Sequence, residues 1–479
     1  MGLEAKFYCY SSIKNAGGRA AVFELLEKCL NSSPLEVNLA QLRGQKRKVT
    51  ICSVKNGDVE EFSRITLNGV GFRMFVDGSW GFSSTNMLDK ESLKRAFKDA
   101  TKLAKAASKM KETPVQLSPV KAFEANVSAP VKKSLKNLSS EGIMKIASDA
   151  YEGAKEVGAS VADVTSTYIG LEDEKYFLSS EGTRISQNTT RVLLITTVIA
   201  KGNGSIVPSS ENLGHTGGLE LFDNVSPEAF GKTVAKKAVR LLKVKNPPSG
   251  RFRVVIHPTL CATLLHEAIG HPLEADLAMG GGGFSNQIGK CVSSKLISIY
   301  DDGHILGGLG YFPFDDEGVE CKHNVLIERG ILKSFMHDRT SAALASAIPT
   351  GNAHAWDYSV EPLIRQTNIG IEKGSFSLEE MIEDVKEGLF LEGTFGGQAD
   401  VNADFTFGFQ NARWIRHGEL AEELRGANVA GNAIDVFKTV DAVGKDVILR
   451  PGACGKFQWA IQGRVVPAIR CEIMVGGAG

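Results

Sequence analysis

The chain reads as an α+β protein, with an N-terminal layered α/β domain over residues 1–225 and a β-rich, barrel- or sandwich-like C-terminal domain over residues 226–479. Three observations carry that reading. Amphipathic helical stripes alternate with hairpin signals before residue 225, and past residue 273 the chain turns strand- and glycine-rich. All nine histidines lie between His215 and His417, so the usual neutral-pH base and imidazole metal ligand are confined to the second half.

Residues 17–30 form a short predicted helix. Lys55-Asn56-Gly57-Asp58, Asn68-Gly69 and Asp77-Gly78 then punctuate three hairpin-like segments with turn chemistry. Over 89–110, Leu93, Ala96, Phe97, Ala100, Leu103, Ala104 and Ala107 make one helical stripe. Residues 112–137 hold three prolines and no periodicity, the signature of a crossing loop. A second striped helix covers 139–157, and strands are predicted near 162–170, 174–179, 184–188 and 191–200. Ser226 and Pro227 open another helix as cap and first-turn residue. Further on, Arg329-Gly330 and His417-Gly418 signal hairpins, and alternating Phe405, Phe407 and Phe409 mark a half-buried strand. Ser377 with Glu380 makes a capping box for a helix over 378–388, stopped by Gly388.

Composition excludes several classes. Lys+Arg and Asp+Glu are equal at 55 each, which argues against bulk-charge coating of nucleic acid. The basic excess over 89–137 reads as a solvated helix face. The longest apolar run, 192–200, is far shorter than the ~20 residues of a spanning helix, so no membrane partner is expected. Residues 1–10 lack a secretory pattern, and the eight scattered cysteines include no CxxC pair. A cytoplasmic protein with thiols is expected.

The chemistry concentrates after the predicted buried strand 253–256. The next helix contains His266-Glu267-Ala268-Ile269-Gly270-His271-Pro272, a His-Glu-x-x-x-His motif one residue longer than the zincin spacing. Chance alone produces about 0.02 such His-acid-x-x-x-His motifs in a chain of this composition. On a straight helix, residues four apart diverge by ~40° but residues five apart by ~140°. Gly270 permits unusual backbone angles, and Pro272 disfavours helical geometry at His271. A π-bulge or frayed last turn is therefore expected to swing His271 over His266. The pair would then ligate a zinc-like ion, with Glu267 as general base toward a metal-activated water. Glu274, Asp276, a later histidine, Cys454 and Cys471 are candidates for a third ligand; Cys454 lies in a predicted glycine-flanked turn and Cys471 in a strand.

The run from His266 to Asp276 resembles the metal motif of the TldD/PmbA family of metallopeptidases, in its catalytic TldD-type form. Phe314-Asp315-Asp316-Glu317-Gly318, Ile327-Glu328-Arg329-Gly330, Met336-His337-Asp338-Arg339, Pro349-Thr350-Gly351-Asn352, Gly396-Gly397-Gln398-Ala399-Asp400 and Gly452-Ala453-Cys454-Gly455-Lys456 follow in the family's order. Gly69-Val70-Gly71-Phe72-Arg73, Trp80-Gly81-Phe82 and Ser180-Glu181-Gly182 fit upstream. The resemblance implies Cys454 as third ligand beside His266 and His271, Glu267 as catalytic base, and zinc, with iron as the other candidate metal. It further implies peptides or unfolded protein segments as substrate, and a heterodimer with a PmbA/TldE-like homologue, a homodimer being the alternative. A non-catalytic scaffold and a two-His/one-carboxylate enzyme are the rival functions.

Two motifs depart from the family pattern. The usual Gly-Lys-x-Gly-Gln is Gly455-Lys456-Phe457-Gln458, shorter by a glycine, and the usual Pro-x-x-Arg-Met-x-Asn-Thr is Pro362-Leu363-Ile364-Arg365-Gln366-Thr367-Asn368-Ile369. Gly280 to Gly283 lack the Lys-Ser/Thr of a phosphate loop and read as a loop beside the site. Asp315-Asp316-Glu317 reads as an acidic turn, and His337-Asp338-Arg339 as the best remaining group for substrate contact.

Overall fold

The computed structural model describes residues 19–31, 37–202 and 204–476. Residues 17 and 18 of the first expected helix, the stretch 1–10 and Cys9 lie outside the described residues. Seven strands form the first sheet: β1 (Leu39–Lys55), β2 (Asp58–Val76), β3 (Ser79–Thr85), β4 (Glu124–Ser128), β5 (Val161–Ser179), β6 (Arg184–Gly202) and β7 (Ser205–Thr216). Their order is β3-β2-β1-β5-β6-β4, with β7 also paired to β6. Asn56-Gly57 and Asp77-Gly78 close two hairpins, all four residues having positive φ as a type I′ turn requires.

Asn68-Gly69 is no turn. It lies inside β2, where a Cβ on Gly69 would stand 2.2 Å from the Tyr358 ring, so the glycine serves a close approach of the second half. The proline-bearing stretch expected to be loop also contains β4, paired in parallel with β6. Residues 162–170 and 174–179 are one continuous strand, β5.

Helices α1 (Arg19–Leu30), α2 (Lys90–Lys109), α3 (Ser140–Lys155) and α4 (Pro227–Leu241) cover one face of this sheet. Leu42, Phe72 and Met74 meet Phe97 and Ala100 there, and Val164, Leu194 and Val198 meet Ala150, Val234 and Ala238. The opposite face is polar yet buried. On β1, Gln41, Arg43, Gln45 and Arg47 alternate with the apolar positions and are at most 4% exposed.

The second half supplies their cover. Its strands are β8 (Gly250–Ile256), β9 (Ile299–Asp302), β10 (His323–Glu328), β11 (Ile331–Leu332), β12 (Ala353–His354), β13 (Leu363–Ile364), β14 (Asn368–Ile371), β15 (Glu387–Glu392), β16 (Gly397–Ala399), β17 (Asp404–Arg416), β18 (Glu419–Asn432), β19 (Ala442–Lys456) and β20 (Gln458–Gly476). The pairings β20-β18-β17-β15-β8 close into a ring because β20 also pairs with β8, the expected barrel-like closure. Phe405, Phe407 and Phe409 alternate along β17 and are all buried, joining the largest apolar cluster.

Short helices α5 (Pro258–Leu264), α6 (Ala275–Met279), α7 (Arg339–Leu344), α8 (Leu378–Glu383) and α9 (Ala433–Lys438) complete the half. The Ser377/Glu380 capping box of α8 is present. That helix ends at Glu383 rather than Gly388, which belongs to β15; a Cβ there would stand 2.4 Å from the Arg253 carbonyl on β8. Among the described residues no helix is long and apolar enough to cross a membrane.

Charged contacts join the two halves. Arg73 pairs with Glu317, and Arg339 makes a bidentate pair with Glu181 at 2.6 and 2.8 Å. Lys175 reaches Asp316 at 2.9 Å, while Arg43 donates to the Val360 carbonyl. The acidic turn is therefore buried and paired, and Arg339 is part of the joint rather than a substrate contact. Burial alone would raise the Asp316 carboxyl, but Lys175 and Arg43 outweigh it and hold it down to about 2 from an ordinary 3.8. A depressed carboxyl stabilises the folded state above its unfolded value and loses that contribution as pH falls toward its folded value. Asp316→Asn should cost at least about 2 kcal/mol near neutral pH, and the deficit should shrink as pH falls from 3.8 to about 2. Urea unfolding of both chains across that range measures it; a gap independent of pH would remove Asp316 from the acid response.

Candidate metal centre

β8 delivers the chain into α5, whose first turn is capped by the His257 ring accepting from Thr259 N–H. From Leu260 to Gly270 every residue except Glu267 is buried, as a helix enclosed by strands requires. At Leu265–Gly270 the helix widens into a π turn, and the N–H of His271 donates to the His266 carbonyl. That five-residue step stacks the two histidines on one face, their ring centroids 4.5 Å apart. The expected bulge is present, but through different means from those expected. Gly270 has ordinary helical angles and so does His271. What Gly270 provides is space: a Cβ there would lie 2.4 Å from Oε1 of Gln366.

Gln366 fills that space to hold His266. Its amide nitrogen donates to the His266 carbonyl at 3.2 Å, which turns its oxygen toward Nδ1 at 2.7 Å. The network thus assigns the proton to Nδ1 and leaves the Nε2 lone pair toward the cluster, where it accepts from Gln462 at 2.9 Å. Burial, reinforced by the Arg464 charge, pushes the His266 pKa well down and keeps the ring neutral. His271 is held differently. Its Nδ1 lies 3.2 Å from the buried Glu274 carboxylate. Burial opposes the imidazolium, but Glu274 and Cys454 outweigh it and raise the His271 pKa.

Cys454 arrives from the β19–β20 hairpin. It stands on the strand β19, paired with Ala460, and not in the turn its flanking glycines suggested; the turn is Phe457, at φ +60°. Its Sγ lies 3.1 Å from Nε2 of His271. Glu267 directs Oε1 to 3.7 Å from Nε2 of His266 and Oε2 to 3.9 Å from Nε2 of His271. Burial raises its carboxyl pKa, partly offset by His271 and Arg464. Donor atoms of His266, Glu267, His271 and Cys454 all lie within 4.8 Å of one another.

The other third-ligand candidates are engaged elsewhere. Lys456 donates to Glu274 at 2.5 Å and to Asp276 at 2.8 Å. Cys471 is buried in β20, which pushes its thiol up, and His337 is buried with Nδ1 3.0 Å from the Ser341 hydroxyl. His354 is buried against Phe312, and His323 pairs with Asp302 at the surface. Gly280 to Gly283 lie beside the turn after β16, with Gly283 N–H donating to the Val401 carbonyl at 2.8 Å.

Sequence reasoning missed Gln366, Gln462, Arg365, Lys456 and Arg464. Arg365, Gln366 and Lys456 stand inside the two motifs that depart from the family pattern, the one signal that pointed to them. Arg365 donates to the carbonyls of Cys454 at 3.1 Å and Gln458 at 2.9 Å, fixing the hairpin over the helix.

Known proteins share this arrangement of chain. Profiles described as PmbA/TldA metallopeptidase domain 1, central domain and C-terminal domain match residues 40–104, 133–242 and 249–477. A metalloprotease of Methanocaldococcus jannaschii is 34% identical over 415 residues, 86% of this chain and 90% of its own. A zinc metalloprotease TldD homologue of Saccharolobus solfataricus is 32% identical over 320 residues, 66% of this chain and 71% of that one. TldE of Thermococcus kodakarensis shares the fold with a TM-score of 0.74 at 20% identity, over 95% of this chain and 100% of that chain. With matches in sequence order from residue 40 to residue 477, the chain belongs to the PmbA/TldD family of metallopeptidases.

Proposed function

We propose that this chain is a metal-dependent peptidase of the cytoplasm that hydrolyses peptides or unfolded protein segments. In this reading zinc is held by His266, His271 and Cys454, and Glu267 is the general base. The observation that carries it is the convergence of two imidazoles and a carboxylate from one widened helical turn with a thiol from β19, all donor atoms within 4.8 Å of one another. Nitrogen and sulfur donors around zinc at ~2.0–2.3 Å stand about 3.3–3.6 Å apart in a tetrahedron. The 3.1 Å between His271 Nε2 and Cys454 Sγ needs little adjustment to fit. A mixed imidazole–thiolate set suits zinc better than a hard cation, and the Saccharolobus relative carries zinc in its name. With Glu274 and Asp276 both committed to Lys456, a two-His/one-carboxylate site has less support.

Bound zinc supplies Lewis acidity at the reacting carbonyl. The rest falls to the chain. His266 presents a neutral lone pair, fixed by Gln366. Glu267, its pKa raised by burial, is suited to take a proton from the attacking water and return it to the leaving amine. β16 pairs with β17 alone among the described residues and packs against the π turn. Its free edge offers backbone groups to an extended peptide, a contact that tolerates many sequences. We further propose a PmbA/TldE-like homologue as partner, in keeping with the shared fold of TldE.

Glu267→Gln should retain zinc by metal analysis while peptide hydrolysis falls by about 10²–10⁴. Under the same conditions His271→Ala and Cys454→Ser should lose the metal; full hydrolysis by the Glu267 variant would sink the general-base role. Strand addition requires an extended substrate, so a destabilised, unfolded variant of a test protein should be cut and its folded parent spared. Equal cleavage rates would count against the edge-strand reading. Gly270→Ala must displace Gln366 and should weaken zinc affinity by about 10–100-fold. Competition with a chromogenic chelator reads this directly, and unchanged affinity would show that His266 needs no such support.

A further inference from the structure

β20 aims alternate side chains at the cluster. Gln462 reaches His266 from this strand, and Arg464, two residues on, lies on the same face. Across the ladder Gly452 pairs with Gln462, and a Cβ at Gly452 would stand 2.7 Å from Cζ of Arg464. The bare glycine therefore lets the guanidinium lie over the ladder beside Cys454. The Nε of Arg464 is buried without a hydrogen-bond partner, and among the described residues the guanidinium makes no hydrogen bond or ion pair. Its strongest electrostatic neighbours are Glu267 and Cys454. The other cations near the cluster are spent elsewhere, Arg365 on the hairpin carbonyls and Lys456 on Glu274 and Asp276.

A half-buried cation whose Nε is shut away from water without a partner beside a candidate base carries a desolvation cost that an anion arriving there would offset. Peptide hydrolysis makes one. We propose that Arg464 is a catalytic residue that stabilises the oxyanion formed on the scissile carbonyl. The proposal rests on the peptidase reading above. A lone pair of the water oxygen bonds to the carbonyl carbon, the carbonyl π pair moves onto oxygen facing Arg464, and Glu267 takes the proton. The oxyanion pair then re-forms the carbonyl, the C–N bond breaks with its electrons on nitrogen, and Glu267 returns the proton to the amine. No other reactant is consumed. A guanidinium serving the C-terminal carboxylate of a substrate would instead sit at least one residue, about 3.3–3.6 Å of extended chain, from the reacting centre.

The test uses the full zinc-loaded chain, as wild type, Arg464→Ala and Arg464→Lys. Probes are one fluorogenic peptide as free acid and as amide, and a phosphinic peptide of the same sequence that mimics the tetrahedral oxyanion. Arg464→Ala should lose about 10²–10³ in kcat on both peptides, keep KM within about twofold, and bind the phosphinic peptide weaker by a similar factor. Zinc content should stay unchanged, and Arg464→Lys or added guanidinium ion should restore part of the rate. An unchanged kcat, a loss confined to KM for the free acid, or a loss of zinc would each overturn the assignment. If the wild type hydrolyses no peptide, either alone or with the proposed PmbA/TldE-like partner, the peptidase reading fails and takes this proposal with it. An active wild type beside an indifferent Arg464 variant removes the proposal alone.

Discussion

Everything at the cluster depends on holding a strand-borne thiol against a buried helix from 183 residues earlier in the chain. A two-stranded hairpin has little rigidity of its own. Here it is clamped from both edges. Arg365 gathers the carbonyls of Cys454 and Gln458, and Lys456 spans from the hairpin to Glu274 and Asp276 just past the π turn. Charge-assisted bonds of this kind contribute about 1.5–3 kcal/mol each, but burying the ions offsets much of that. Their yield is position more than stability. Glu274 links the two functions, since the carboxylate that anchors Lys456 also backs Nδ1 of His271.

The first half reaches the same hairpin from behind. Ile461 of β20 packs with Leu171 and Leu193 of the first sheet, beside Trp356. Trp356 in turn donates its backbone N–H to Gln458 and lies under the Arg47 guanidinium. The buried polar face of the first sheet is thus the seat on which the candidate centre rests. Arg43, Arg73 and Arg191 meet partners from the second half, while Arg47 pairs with Asp173 of the same sheet. Gly69 and Gly71 belong to the same fit, as both lie under the Tyr358 segment with no room for a Cβ.

Patterns that are local in the chain were legible in the sequence. The type I′ turns, most of the α2 stripe (Leu103 and Ala107 being exposed after all), the Ser377 capping box and the alternation of Phe405, Phe407 and Phe409 each depend on neighbours a few residues away. The five-residue histidine spacing was legible too, because it converges only if the helix widens or its last turn frays, and here it widens. What the pattern could not convey is which glycines yield angle and which yield space. Asn68-Gly69 and Gly388 resemble stops, yet one lies mid-strand in β2 and the other at the start of β15, each where another backbone or ring comes close. Alternation along β1 was equally silent about whether its polar face meets water or a second sheet. Gln462 and Arg464 were invisible for the same reason, since their register against β19 exists only after the hairpin forms.

The two histidines are supported by chemically opposite neighbours, and that asymmetry bears on how the centre is tuned. A carboxylate behind His271 strengthens it as a donor by favouring positive charge on the ring, whereas the neutral amide of Gln366 fixes the His266 tautomer with far less electrostatic push. Burial outweighs the small opposing pull of the Gln366 hydrogen bond at His266 and favours the neutral ring. One ligand is therefore pre-set by hydrogen-bond geometry and the other by charge. The amide stands where the family pattern usually has methionine, which offers Nδ1–H no comparable acceptor. Gly270 makes room for that amide, because a Cβ there would stand 2.4 Å from Gln366 Oε1 and displace it from the His266 carbonyl and ring.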